Sequence, residues 1–152
     1  MSATLHRLQA DEAAELASEV ERGYAEDMEL RGGIPRDAAR RKAAADCAKL
    51  LTDETAAAYR VDVEGEPVGH LWVGEQDTPS GRMLWIYDVF VDEALRGRGF
   101  GREAMLLAEE EARRRGLALV GLNVFGGNEV ARRLYGSLGY DEVAVVMRKH
   151  VG

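Results

Sequence analysis

Apolar and polar positions change their period along this chain, and each change predicts a different element. Thr4 to Leu8 reads as a short first strand. From Ala10 to about Leu30, apolar residues recur at Ala13, Leu16, Ala17, Val20 and Tyr24, the spacing of one helix face. Asp11 and Glu12 fall in its first turn, where acids suit the exposed amides. Gly32, Gly33 and Pro35 punctuate the chain, and Asp37 to Leu51 reads as a second helix rich in alanine, lysine and arginine. The period then shortens. Ala57 to Val63 and Val68 to Val73 alternate around the turn Glu64-Gly65-Glu66-Pro67, which predicts a hairpin. Gln76 to Gly81 reads as a second polar connection. Met83 to Val91 is apolar on both faces except at Asp88, as in a central strand covered on both sides. A loop over Asp92 to Gly99 follows, then a helix from about Phe100 to Arg115, a strand over Leu117 to Val124, a helix over Asn128 to Leu138 and a closing strand over Tyr140 to Lys149. Helices alternating with strands imply an α/β fold, a mixed central sheet flanked by helices, in one domain over residues 1–152.

Composition narrows the function classes. Among 152 residues, Asp plus Glu number 27 and Lys plus Arg 20, a net charge of −7, so a general nucleic-acid binder is not expected. No run of about 18 apolar residues is present to span a membrane. The stretch MSATLHRLQADEAAEL lacks the basic start and apolar core of a secretory signal, and a cytoplasmic location is expected. One cysteine excludes an internal disulfide framework, and three scattered histidines show no metal-ligand spacing, so no metal is expected. Glycine changes the picture most. There are 17, and nine of them fall between Gly97 and Gly139.

The segment VDEALRGRGFGREAMLLAEEEARRRG concentrates that glycine at the junction of a strand and a helix. Arg96-Gly97-Arg98-Gly99-Phe100-Gly101 lets the backbone turn tightly and come close to a ligand. Free amides at the helix start then face outward and suit phosphate oxygens. Arg96, Arg98 and Arg102 add positive charge in an otherwise acidic chain. A solvated turn is the competing reading, weakened by the strand before it and the helix directly after. No Gly-Lys-Ser/Thr follows, and the spacing is wrong for a dinucleotide fingerprint.

Arg96, Gly99 and Gly101 match in order the Arg/Gln-x-x-Gly-x-Gly/Ala pattern of the GNAT family of N-acetyltransferases, which this segment resembles. The stretch LNVFGGNEVARRLYGSLGYDEV resembles that family's second cofactor segment through Asn128, Tyr135, Gly139 and Tyr140. Element order from Thr4 to Lys149 fits as well, so the resemblance covers nearly the whole chain. It implies acetyl-CoA as cofactor and direct acetyl transfer to a primary amine. Arg96, Gly97, Arg98, Gly99, Phe100, Gly101 and Arg102 would hold the pyrophosphate. Val89, Phe90 and Val91 would pair with the pantetheine arm at a splay beside Leu122 to Val124. The backbone at Val89 would polarise the thioester carbonyl, and Asn128 would contact the pantetheine side. Arg132 either meets cofactor phosphates or faces water.

The same resemblance makes Tyr135 the general acid for the departing thiolate, against a plain core aromatic. Asp88 is the candidate base, against a structural acid that meets an arginine or caps a neighbour; its side chain is expected on the face of Ile86 and Phe90, opposite Tyr87 and Val89. For the acceptor, Tyr24, Asp27 and Met28 at the end of the first helix, with His70, Trp72 and Glu75 near the third strand, are the candidate pocket residues. Each has a plain structural alternative: a solvated helix end, an ordinary strand histidine, core tryptophan. The function implied is an acetyl-CoA-dependent N-acetyltransferase acting on a small-molecule amine. A protein N-terminus or lysine acceptor, and a non-catalytic acyl-CoA-binding regulatory module, are the alternatives. Edge strands and the apolar closing strand leave a homodimer open.

Overall fold

The hairpin alternation that marks the middle of the sequence becomes the centre of a five-stranded sheet in the computed structural model, which describes residues Met1–Gly152. Strands β1 (Ala3–Arg7), β2 (Ala57–Val63), β3 (Glu66–Thr78), β4 (Gly81–Val91) and β5 (Leu119–Leu122) lie side by side in that order. All neighbours are antiparallel except β4 and β5, which run parallel. Helices α1 (Ala10–Leu30) and α2 (Arg36–Thr52) precede the hairpin, and α3 (Phe100–Arg114) and α4 (Glu129–Ser137) alternate with β5. The arrangement is a mixed α/β sheet flanked by helices. No helix is long and apolar enough to cross a membrane.

Strand alternation sorts the side chains into two layers. On one face Leu16, Ala17 and Val20 of α1 and Cys47 and Leu50 of α2 bury Ala58 and Trp72. On the other, Ala104, Met105, Ala108 and Ala112 of α3 cover Tyr59, Val61, Leu71, Val73, Leu84 and Ile86. A fully buried Leu71 or Leu84 contributes about 2 kcal/mol of transfer free energy. Cys47 is buried, and its thiol is pushed up to about 11 by that burial and by the charges of Glu21, Asp46 and Asp88.

One irregularity breaks the alternation. Trp72 lies opposite Asp88 and Val73 opposite Ile86, so Tyr87 is an extra residue in β4, a bulge. Ile86 packs on the α3 side, Tyr87 packs on the α1–α2 side, and Val89 returns to the α3 side. Asp88 shares the α1–α2 side with Phe90, as expected, but Ile86 points the other way. The expectation that Asp88 shares a face with Ile86 and opposes Tyr87 fails on both counts, because a regular period of two cannot anticipate the inserted residue. Tyr87 is held there by its hydroxyl, which donates to Asp53 Oδ2 at 2.8 Å. Gly74 makes room for the ring, since a Cβ would come 2.6 Å from Tyr87 Cε2.

Two further boundaries differ from expectation. The polar stretch Gln76 to Gly81 is mostly strand: β3 and β4 pair out to Thr78 and Gly81, and Arg82 bridges Glu75 and Asp77 across the exposed end of the ladder. The segment after Tyr140 forms no strand, although it is apolar and β-branched. Composition sets a preference for extended backbone, but a ladder needs a partner, and no strand of this chain pairs with it.

A buried polar network ties the end of α3 to the sheet. Glu111, 6% exposed, accepts from Tyr59 Oη at 3.0 Å, from Arg114 at 2.8 and 2.6 Å, and from Arg115 at 2.8 Å. Arg115 also donates to the Thr55 carbonyl and to Glu75 Oε2. Burial alone would raise the Glu111 carboxyl; the donors from Arg114, Arg115 and Tyr59 outweigh it and hold it at about 2. A carboxyl depressed in the folded state stabilises above its unfolded pKa and loses that contribution as pH falls. Glu111→Gln is therefore expected to destabilise the fold by about 3 kcal/mol at neutral pH. It should also flatten the fall in stability between roughly pH 5 and pH 2, both read from urea unfolding followed by circular dichroism.

Candidate functional site

Strands β4 and β5 pair only from Met83–Leu119 to Ile86–Leu122, and β4 then runs on to Val91 without a neighbour on that side. The parting begins at the bulge. The Asp92 amide donates to the Val68 carbonyl across the β3 side at 2.8 Å. Amides alternate in direction along an antiparallel strand, so those of Val89 and Val91 point away from β3 and into the opening. Arg96 folds back at its mouth: Nε donates to the Val91 carbonyl at 3.0 Å, and the guanidinium sits 5.1 Å from the centre of the Phe90 ring.

Beyond a short 3-10 turn, Glu93–Leu95, the chain enters α3 through Gly97 and Gly99, with φ of 80° and 85°. That left-handed backbone is costly for any residue with a Cβ. No amide from Gly97 to Arg102 donates to a backbone carbonyl, so a run of six donors at the positive end of a 15-residue helix is free. Arg98 and Arg102 add charge beside them, with Arg102 donating to Ser137 Oγ at 3.1 Å. Consecutive free amides beside an open strand edge fit a diphosphate carrying an amide-containing arm, which is the chemistry of acetyl-CoA.

Tyr135 on α4 packs against the α3-side core, its ring centre 6.0 Å from that of Tyr140. Asn128 starts its helix by accepting from the Ala131 amide at 3.2 Å, so the side-chain oxygen expected to meet a ligand is engaged as a cap. The Tyr135 hydroxyl is raised above its ordinary value by burial first, then by the charges of Asp88 and Asp27. The Tyr135 hydroxyl on α4 thus feels the negative charges of Asp88 on β4 and Asp27 on α1. Asp88 in turn is hydrogen-bonded to Nε2 of His70, whose ring stacks on Phe90 at 5.1 Å. Gly69 permits this close β3–β4 approach, because a Cβ there would collide with the Phe90 carbonyl oxygen. Beside His70 opens a groove of about 330 Å³, whose lining includes Glu12, Glu15 and Glu19 of α1, Asp92, and Arg60, the last paired with Asp62.

The remaining expected residues divide. Met28 is fully buried with Ala39 and Ala43 and is core, not pocket wall. Trp72 is core as well, 3% exposed, with its Nε1 unpaired. Glu75 lies on the α3 face, opposite His70, and is committed to Arg82 and Arg115. Tyr24 donates to Asp46 at 3.1 Å and is pushed up to about 12 by burial and that carboxylate. Asp27 keeps a partly exposed pair with Arg31 at 2.6 Å. Arg132 is held by Glu142 and the Gly126 carbonyl, which answers the choice between phosphate and water with a third partner. The acidic stripe of α1 is absent from the sequence expectation, although Glu12, Glu15 and Glu19 stand at intervals of three and four, the spacing of one helix face.

The profile of the Acetyltransferase (GNAT) family matches residues 18–140. The chain is 35% identical over 86 residues to the uncharacterized N-acetyltransferase YycN of Bacillus subtilis, covering 57% of this chain and 55% of YycN. It is 36% identical over 96 residues to mycothiol acetyltransferase of Kytococcus sedentarius, covering 63% of this chain and 29% of that protein. The match in sequence thus spans about half the length of YycN. The crystal structure of YycN from Bacillus subtilis aligns with a TM-score of 0.87 at 27% identity over 99% of both chains. An aminoglycoside acetyltransferase from an uncultured soil metagenomic sample aligns at 0.63 with 25% identity over 100% of both.

The coupling of Asp88 to Tyr135 is open to direct measurement. Asp88→Asn removes a negative charge and should lower the Tyr135 pKa, read by NMR of tyrosine ring carbons across an alkaline titration. A value that stays in place would mean that the two groups do not share the opening.

Proposed function

This chain belongs to the GNAT acetyltransferase family, and we propose that it moves the acetyl group of acetyl-CoA to a primary amine, with a small cationic amine as acceptor. The observation that carries this reading is the meeting of six free amides at the start of α3 with an unpaired strand edge where β4 and β5 part. When bound, acetyl-CoA supplies the acetyl group as an activated thioester. The amides of Gly97 to Arg102, with Arg98 and Arg102, hold its phosphates, and the β4 edge at Val89 and Val91 lines the arm. The Val89 amide faces the opening and donates where negative charge grows on the acyl oxygen.

An ammonium has no lone pair, so the acceptor loses a proton before it attacks. The Asp88 carboxylate, braced by His70, takes that proton directly or through water. Tyr135 is raised above an already high ordinary value. It therefore holds its proton at neutral pH and delivers it from Oη to the departing sulfur. Glu12, Glu15, Glu19 and Asp92 concentrate cations at the groove beside His70. The names of two relatives, mycothiol and aminoglycoside acetyltransferase, support a small acceptor. The groove is open along one side, which favours as second reading a peptide amino terminus laid along it. A non-catalytic acyl-CoA-binding module would have no use for a proton donor at Tyr135 or a base at Asp88.

Thiol release from acetyl-CoA, measured against polyamines, aminoglycosides and short peptides, separates these readings. Turnover is expected to be highest with small polycations; peptide alone as substrate selects the second reading. Stoichiometric acetyl-CoA binding with no turnover on any amine leaves the regulatory module. Tyr135→Phe is expected to lower kcat roughly 10²–10⁴-fold with acetyl-CoA affinity and the unfolding midpoint retained, and undiminished turnover removes Tyr135 from the acid role.

A further inference from the structure

His70 is not set as an ordinary strand histidine facing water. Its side chain is only 14% exposed, its Nε2 is hydrogen-bonded to Asp88 Oδ2, and its ring lies on Phe90 at 5.1 Å and 14°. Phe90 is fixed in turn by the Arg96 guanidinium, 5.1 Å from its ring centre. Gly69, one residue before His70, has no Cβ to push β3 away from the Phe90 carbonyl. Close approach of the strands and an aromatic stack therefore hold the imidazole in one place against the carboxylate.

The two members of the pair face different spaces. His70 is among the ten residues that line the groove beside α1, and Asp88 is not, although the Asp88 side chain is 30% exposed. The groove meets the base through the imidazole.

With Asp88 as the carboxylate that takes the acceptor's proton, the state of His70 follows. An ionised carboxylate only accepts hydrogen bonds, so Nε2 carries the imidazole proton and Nδ1 keeps its lone pair. Oδ2 is occupied by that donor, and Oδ1 is the oxygen left for the amine. One N–H bond of the ammonium then breaks, and its electron pair stays on nitrogen for attack on the thioester carbon. The proton forms an O–H bond at Oδ1, while the bond from Nε2 to Oδ2 keeps the carboxyl from turning.

Protonation of Nδ1 undoes this arrangement. A positive ring beside Asp88 favours the ionised carboxylate and repels the ammonium that must reach it. Imidazole is the side chain whose charge ordinarily changes near neutrality. The charged groups around this one are Asp88 on β4, Asp92 just after it, Arg96 on Phe90, and Glu12, Glu15 and Glu19 on α1. Arg60 stands opposite His70 on β2 and is itself bound to Asp62.

Given acetyl transfer to an amine, on which this rests, we propose that His70 is the positioning residue of the base. As a neutral imidazole it donates from Nε2 to Asp88 Oδ2 and leaves Oδ1 to take the acceptor's proton, and its own protonation sets the acid limit of turnover.

Two measurements on the full chain test this. Nitrogen NMR of the imidazole is expected to find the His70 proton on Nε2 in the wild type and a shifted tautomer balance in Asp88→Ala. A proton on Nδ1 instead, or His70 nitrogen shifts identical in the two proteins, overturns the proposal. Thiol release is then followed across pH with the fastest amine of the acceptor panel. His70→Ala is expected to lower kcat about 10²-fold, with acetyl-CoA affinity and circular dichroism retained. His70→Gln, whose amide N–H stands in for Nε2–H and does not titrate, is expected to regain about tenfold, the worth of one hydrogen bond to a charged group. It should also lose the imidazole ionisation from the acid limb of kcat/KM. Full turnover in His70→Ala, a His70→Gln no faster than His70→Ala, or an acid limb unchanged in His70→Gln overturns the proposal and leaves acetyl transfer standing. A wild type that turns over no amine overturns the transfer reading, and the role of His70 with it.

Discussion

A single extra residue in β4 governs the rest of this molecule. At Tyr87 the ladder with β3 takes two residues against one, and on the opposite edge the pairing with β5 stops at Ile86. The bulge re-aims every side chain after it, so that Asp88 and Phe90 join His70 on the face covered by α1 and α2 while Val89 turns toward α3. The parting of the strands uncovers the amides that a regular sheet would consume. Both effects rest on Tyr87 staying in place, and it is fixed twice, by its bond to Asp53 and by the space that Gly74 leaves for its ring.

Electrostatics divides along the same line. A net charge of −7 says little as a total, but its distribution is ordered. Glutamates of α1 stand at the groove beside His70, where a cation would enter, while the mouth of the opening carries Arg96, Arg98 and Arg102 around free amides. Asp88 lies between these regions and communicates with both, through its bond to His70 and its effect on the Tyr135 hydroxyl. Anion and cation would approach from different sides of one strand and meet at its bulge.

Much of this was legible in the residues. Period alone located α1, the β2–β3 hairpin and β4, and the crowding of glycine after Val91 marked the left-handed turn that leads into α3. The bulge was illegible because Met83 to Val91 is apolar on both faces: with cover on either side, no alternation exists for an inserted residue to disturb. Glu75 was misplaced for a related reason, since its distance from His70 is odd and sends the two to opposite faces. Met28 reads in sequence as part of a charged helix end, and only the packing of α1 on α2 shows it sealed with Ala39 and Ala43. The closing strand expected over Tyr140 to Lys149 does not form, because β-branched composition favours extended backbone without supplying a strand to pair with.

The burial of Cys47 has a consequence of another kind. Its thiol is enclosed between α1, α2 and the sheet and held protonated well past neutrality, and the thiolate is the reactive form. Cys47 is therefore held in the less reactive thiol form in the folded state. A reporter cysteine placed at the surface would differ from it in both exposure and ionisation.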